Sequence, residues 1–289
     1  MKQSLLNLLF SLIAFSIAYG ISLLTGLQLI QQAVLIAFLI QWILFVPAFY
    51  FQTEKFYDLT GSFTYISIVT YISIQSHLAI NVNVGSILLA SFIILWAIRL
   101  GSFLFTRIHK AGEDKRFKLI KPSPTRFFMT WTLQGMWVSI CSMCALTAIA
   151  SKNGVIQNGF FYMGILVFVT GFVIEIIADW QKSRFRKNPK NKDQFISHGL
   201  WYYSRHPNYF GEIALWLGIS IMSFSSLSSW QYITLISPLF TYLLLVYISG
   251  VRILEIAGME KWGHLEPYQE YIRTTASLFP YFKLSNKKI

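Results

Sequence analysis

Eight apolar runs set the terms for this chain. They fall near residues 4–24, 28–51, 60–80, 84–108, 126–150, 157–180, 207–225 and 229–250. About 20 apolar residues suffice to cross a bilayer as a helix. Lipid offers no partner to a bare backbone, so each run predicts a transmembrane helix. The expected fold is an all-α, polytopic membrane bundle of about eight helices, with no internal repeat and no low-complexity linker. Composition agrees: 55% of the 289 residues are hydrophobic, 12% are charged, and mean hydropathy is +0.53. A soluble domain carries about a quarter charged residues. Lys2 and the apolar run after it have the outline of a signal peptide. No small-residue cleavage site follows, and further runs come at once, so this run reads as an uncleaved first span.

The charges divide across the runs. The formal net charge is +12. With the N-terminus in the cytoplasm and eight alternating spans, the cytoplasmic loops hold Lys55, the cluster from Arg107 to Arg126, the cluster from Lys182 to Arg205 and the basic tail. The outer loops hold only Lys152. That split follows the positive-inside rule and makes anionic lipid or an anionic cofactor, rather than nucleic acid, the partner of the excess charge.

Two polar stretches interrupt this apolar plan. In the first, Glu175, Asp179, Lys182 and Arg186 follow an i, i+4, i+7, i+11 pattern and form one stripe on an otherwise apolar helix. Glu175 lies deep enough that unpaired burial costs several kcal/mol. A helix end with snorkelling bases accounts for Lys187 and Lys190 better than for the two carboxylates. In the second, Gly199 to Glu212 reads Gly-Leu-Trp-Tyr-Tyr-Ser-Arg-His-Pro-Asn-Tyr-Phe-Gly-Glu. Pro207 suits the first turn of a helix. Asn208 and Glu212 then share one face. Arg205 and His206 sit at the positive end of the helix dipole, which suits an anion such as a pyrophosphate.

This second stretch resembles the signature of the membrane-embedded steroid 5α-reductase-like family. The related sterol reductases and isoprenylcysteine methyltransferases carry a shorter Arg-His-Pro-x-Tyr-x-Gly form. The resemblance runs roughly from Tyr57 to Pro280. It divides the chain into N-terminal helices, 1–56, and a catalytic domain, 57–289. Reductases of this kind are described with seven spans, which puts the count at seven to eight. The resemblance implies that Asp179 and Arg186 hold the adenosine and phosphates of NADPH, with Asn208 a further contact and Glu212 its family neighbour. Lys182, Arg205, His206 and Tyr209 complete the implied site, and Arg252 matches a polar cofactor residue near the end of the last span. Glu175 replaces an asparagine of some steroid reductases, which leaves its role open.

The implied chemistry is hydride transfer to a carbon–carbon double bond conjugated with a ketone, in a lipid that enters from the bilayer. The ketone oxygen needs a donor in a dry pocket. Tyr57, Glu54 and Asp58, at the cytoplasmic ends of the second and third spans, are the catalytic candidates. Tyr57 stays protonated without help, whereas a carboxyl needs a raised pKa. The competing reading is a solvated loop in which Asp58 or Thr60 caps the third helix. Arg99, inside the fourth run, either faces a cavity or snorkels.

No Gly-x-Gly-x-x-Gly follows a strand, so a Rossmann site is excluded. Abundant Arg and Lys favour NADPH over NADH. The histidines, at 77, 109, 198, 206 and 264, lack ligand spacing, and no metal is expected. Cys141 and Cys144 lie in an apolar run and read as core. The rival readings are an S-adenosylmethionine-dependent membrane methyltransferase and a transporter. A transporter more often binds at the midplane and shows repeats. Inner membrane and endoplasmic reticulum are both compatible, with the site facing the cytoplasm.

Overall fold

The structure is a computed structural model that describes residues 2–80 and 83–280. Every expected apolar run is helical. In chain order the helices are α1 (Lys2–Leu24), α2 (Gln28–Tyr50), α3 (Tyr57–Ile80), α4 (Val84–Ala111), α5 (Pro124–Ile149), α6 (Gly159–Lys187), α7 (Leu200–Tyr203), α8 (Pro207–Ser223), α9 (Ser237–Leu243), α10 (Val251–Trp262) and α11 (Glu266–Thr274). No strand occurs among the described residues.

Among the described residues, six stretches are long and apolar enough to cross a membrane: α1, α2, α4, α5, α6 and the helical stretch Ser229–Trp262. Two of the eight expected runs fall outside that group. Helix α8 has only 17 residues. Helix α3 is long enough, but Thr64, Thr70, Gln75 and His77 dilute its apolar character. The chain is an integral, multi-pass membrane protein.

The chain divides into two compact units. One is Met1–Tyr162 with Ile219–Ser237, and the other is Met163–Gly218 with Pro238–Ile289. In the first unit α5 is the hub, packed by α1, α2, α3 and α4. It is buried without a break from Val138 to Ile149, as expected of a helix apolar all round. Cys141 and Cys144 are free and buried in that stretch. Polar ties set the register of α5: Trp42 Nε1 donates to Thr132 Oγ1 at 3.0 Å, and Asn7 Nδ2 donates to Thr125 Oγ1 at 3.1 Å.

In the second unit α6 and α8 touch through glycines. A Cβ at Gly211 would stand 2.6 Å from the Gly171 carbonyl oxygen, and one at Gly218 would stand 2.5 Å from Phe168 N. The two contacts are seven residues apart on α8, two turns of one seam. This close approach lays the polar stripe of α6 beside the first turns of α8. Below α9 the helix widens into a π-helical segment, Leu244–Ile248, before α10 begins.

Candidate functional site

The motif loop starts at Gly199, whose φ of +65° favours glycine. A Cβ there would lie 2.5 Å from Gln181 Nε2, so the Gln181 side chain would have to shift. Gln181 Oε1 in turn accepts the Leu200 N–H at 3.0 Å. Trp201 Nε1 donates to the Ala178 carbonyl at 3.1 Å, and Lys182 Nζ stands 4.4 Å from the Trp201 ring centre. The loop is thus pinned to the C-terminal part of the α6 stripe before α8 begins.

Arg205 and His206 do not face outward. The Arg205 guanidinium donates to both Glu255 oxygens, at 3.1 and 2.8 Å, and to the carbonyls of Ile272 and Thr275, at 2.7 and 2.6 Å. His206 Nε2 lies 2.7 Å from Glu255 Oε1. The i, i+3 pairing of Arg252 with Glu255 that spacing allows is therefore replaced: Glu255 serves the motif loop, and Arg252 stands exposed on α10. The chain after α11 closes the loop. Arg205 N–H donates to Ala276 O at 2.9 Å, Ser204 Oγ donates to Leu278 O at 2.8 Å, and Tyr271 Oη donates to Trp201 O at 2.6 Å.

Burial pushes the His206 imidazole below its ordinary value, against the pull of Glu255. A neutral ring whose Nε2–H donates a hydrogen bond to Glu255 keeps a bare lone pair on Nδ1. That Nδ1 is buried and has no hydrogen-bond partner. Tyr209 stacks parallel to the ring, 5.8 Å between centres.

Across the glycine seam, Asn208 Nδ2 donates to Asp179 Oδ1 at 3.3 Å. Glu175, Asp179 and Glu212 are all buried, while Lys182 is half-buried and Arg186 exposed. The structure therefore gathers Asp179, Lys182, Arg205, His206, Asn208 and Tyr209 around one loop and helix start, with Glu212 one turn into α8 and Arg186 one turn beyond Lys182.

The three residues expected at the substrate oxygen belong to the first unit. Glu54 Oε1 accepts the Asp114 N–H at 2.8 Å, and Oε2 accepts from Lys121 Nζ. It is a clamp on the loop between α4 and α5. Tyr57 Oη donates to the Thr130 carbonyl at 3.0 Å, with its ring edge-on to Phe117 and Trp131. Asp58 occupies the first turn of α3, where the helix dipole favours a carboxylate. Thr60 does not cap that helix; it donates to Phe56 O.

Burial alone would raise the Glu54 carboxyl, but the Lys121 ammonium and the Asp114 N–H together hold it below its ordinary 4.5. A depressed carboxyl stabilises the fold above its unfolded value and loses that contribution as pH falls through the folded value. Glu54→Gln is expected to flatten the acid side of the stability curve. Melting temperatures between pH 3 and 7 check this, and parallel acid slopes in variant and wild type would contradict it.

Three groups in the first unit were not singled out from sequence. Thr64 Oγ1 gives its proton to Thr60 O at 2.7 Å and accepts from Gln41 Nε2 at 2.9 Å. That orientation leaves Gln41 Oε1 buried without a partner. Gln134, packed against Gly61, has an unpartnered Oε1, and Trp131, beside Tyr57, has an unpartnered Nε1. Tyr57, Gly61 and Thr64 follow i, i+4, i+7, so these orphans flank one stripe of α3. The available signal was an amide well inside each of two apolar runs, since polar residues inside spans tend to face partners.

Among known proteins, a family described as a protein of unknown function, DUF1295, matches residues 43–275. The chain is similar to the probable O-methyltransferase ustE of Ustilaginoidea virens, 31% identical over 27% of this chain and 33% of that protein. It is also similar to the steroid 5-alpha-reductase DET2 of Arabidopsis thaliana, 28% identical over 42% of this chain and 41% of that protein. The chain thus spans between a third and about two fifths of the length of these curated relatives. No solved structure matches it.

Proposed function

We propose a reductase function for this chain, which belongs to the DUF1295 family, the steroid 5α-reductase-like family. The reaction we infer is NADPH-dependent reduction of a carbon–carbon double bond conjugated with a ketone, in a steroid-like or other lipid. The observation that carries this reading is the joining of the α6 stripe to the motif helix at Asp179 and Asn208.

The residues fit a phosphorylated dinucleotide. Lys182 and Arg186 supply cationic donors for phosphates, and α8 begins at Pro207, which brings a helix N-terminus to the same place. Asp179, Glu212 and the bare Nδ1 of His206 supply acceptors for ribose or amide donors. Arg205 acts as a positioning residue, since its donors already serve Glu255 and the closing segment. When bound, NADPH supplies the hydride, and the chain's own residues bind, orient and exclude water. For the charge that develops on the ketone oxygen, the first unit offers Tyr57, whose phenol now donates to Thr130, and the unpartnered Trp131 indole beside it. Glu54 and Asp58 remain candidates, with Glu54 already engaged by Lys121.

Arg186→Ala should weaken NADPH binding by about 1–3 kcal/mol, the usual cost of a charge-assisted hydrogen bond. Fluorescence titration reads this, and unchanged affinity in a folded variant removes Arg186 from the site. The alternative is an S-adenosylmethionine-dependent methyltransferase, favoured by the likeness to ustE. The same titration with S-adenosylmethionine separates the two, because only one nucleotide should saturate the protein below millimolar concentration.

The Lys and Arg split supports a site that faces the cytoplasm. Tags placed at residues 154 and 190 should report from opposite faces of the membrane; both on one face would overturn this orientation.

A further inference from the structure

At the end of the first unit away from Glu54 and Tyr57, a cavity of about 380 Å³ opens between the last turns of α3 and the first turns of α4, closed by Ile149 and Gly154. Nineteen residues of helix separate Tyr57 from Ser76, about 28 Å at 1.5 Å per residue. The cavity is therefore distinct from the expected oxygen site. Its size suits a small-molecule site. Its frame is tied down: Asn83 Oδ1 caps α4 by accepting the Ser86 N–H at 2.7 Å, and Ser86 Oγ accepts the Val155 N–H at 3.1 Å.

One hydroxyl in this cavity breaks the habit of its helix. On α3, Thr60, Thr64, Ser67 and Ser73 each donate to the carbonyl four residues back. Ser76 does not. It lines the cavity, is 7% exposed, and its Oγ has no partner. Around it most of the wall surface is apolar, from Ile74, Ile87, Ala90, Ile94 and Ile149, with Thr70, Ser73, His77 and Ser91 interspersed. An apolar chain with one oxygen satisfies both features: the chain covers the walls and the oxygen meets the hydroxyl.

We propose that this cavity binds a single-chain membrane amphiphile bearing a hydroxyl or carbonyl oxygen, with the oxygen hydrogen-bonded to Ser76. The site requires neither nucleotide nor reductase activity, so its test stands apart from that of the proposed reaction.

The probe is a diazirine-bearing fatty alcohol, photolysed with the purified full-length protein in lipid nanodiscs. Labelling should saturate and map to peptides holding Ser76 and Ile87. Unlabelled 1-dodecanol should compete about fivefold better than dodecane, the worth of one ordinary hydrogen bond. Ser76→Ala should bring the two competitors level. Ile87→Trp, at a site 51% exposed and so tolerant of bulk, should abolish saturable labelling without lowering the melting temperature. Equal competition by both compounds in the wild type would overturn the oxygen contact. Undiminished labelling in Ile87→Trp, or unsaturable labelling over all helices, would overturn the site. Saturable labelling with no response to Ser76→Ala would leave water as the partner of that hydroxyl and overturn the proposal as stated.

Discussion

Arg205→Ala is expected to lower the stability of the protein by roughly 3–5 kcal/mol and to release the segment that follows α11. The side chain is 13% exposed and its partner Glu255 is 26% exposed. Removing one member of a buried pair leaves the other charge uncompensated, which costs more than the pair itself contributes. Here the loss is larger than one ion pair. Four hydrogen bonds go at once, two to Glu255 and two to the carbonyls of Ile272 and Thr275. Arg205→Lys should not rescue it, because a point ammonium cannot make this fork of bonds. By contrast the exposed pair of Lys261 with Asp193, at 50% and 69% exposure, should contribute little. Hydrogen exchange in residues 268–279, with the melting temperature, checks the result. Protection equal to wild type in both would show that the loop holds without its arginine.

Gly218→Val should cost about 3 kcal/mol through overpacking, and should also disturb the residues proposed to hold the cofactor. Its Cβ would meet Phe168 N at 2.5 Å and Gly164 O at 2.7 Å. Both are backbone atoms of α6, which cannot turn aside as a side chain can. The two helices must part along the seam that sets Asp179 against Asn208. A graded series therefore follows, with Gly218→Ala milder than Gly218→Val. Purified variants should lose melting temperature and nucleotide affinity together, and a valine variant that keeps both would show the seam to be adaptable.

The helices were legible because an apolar run is a local property, and each expected run is helical to within a few residues. The crossing count was less so. Length alone separates α8 from the others, and scattered polar residues separate α3. The α6 stripe and the Asn208 face were readable from spacing, and they do meet. What spacing missed is long-range. Glu255 has a neighbour at i−3, Arg252, that invites a local pair, but its partners lie 50 and 49 residues back. Tyr57 reads as a spare donor in sequence, yet a carbonyl on α5 takes its proton. Gln41 and Gln134 left only a faint trace, because their importance is which atom lacks a partner and that depends on three helices at once.

The closing of the motif loop by residues 271–278 bears on how this protein is made. At about 5–20 residues per second, the ribosome delivers Glu255 roughly 3–10 seconds after Arg205. Ala276 and Leu278 come later still. Throughout that interval the nascent chain carries an arginine and a histidine without Glu255 to receive them, at the start of α8. A message truncated before the codon for Glu255 would yield most of the apolar helices but a motif loop without its counterion. The motif loop therefore reaches its observed bonding only after the final segment has been made, so its order is a property of the finished chain.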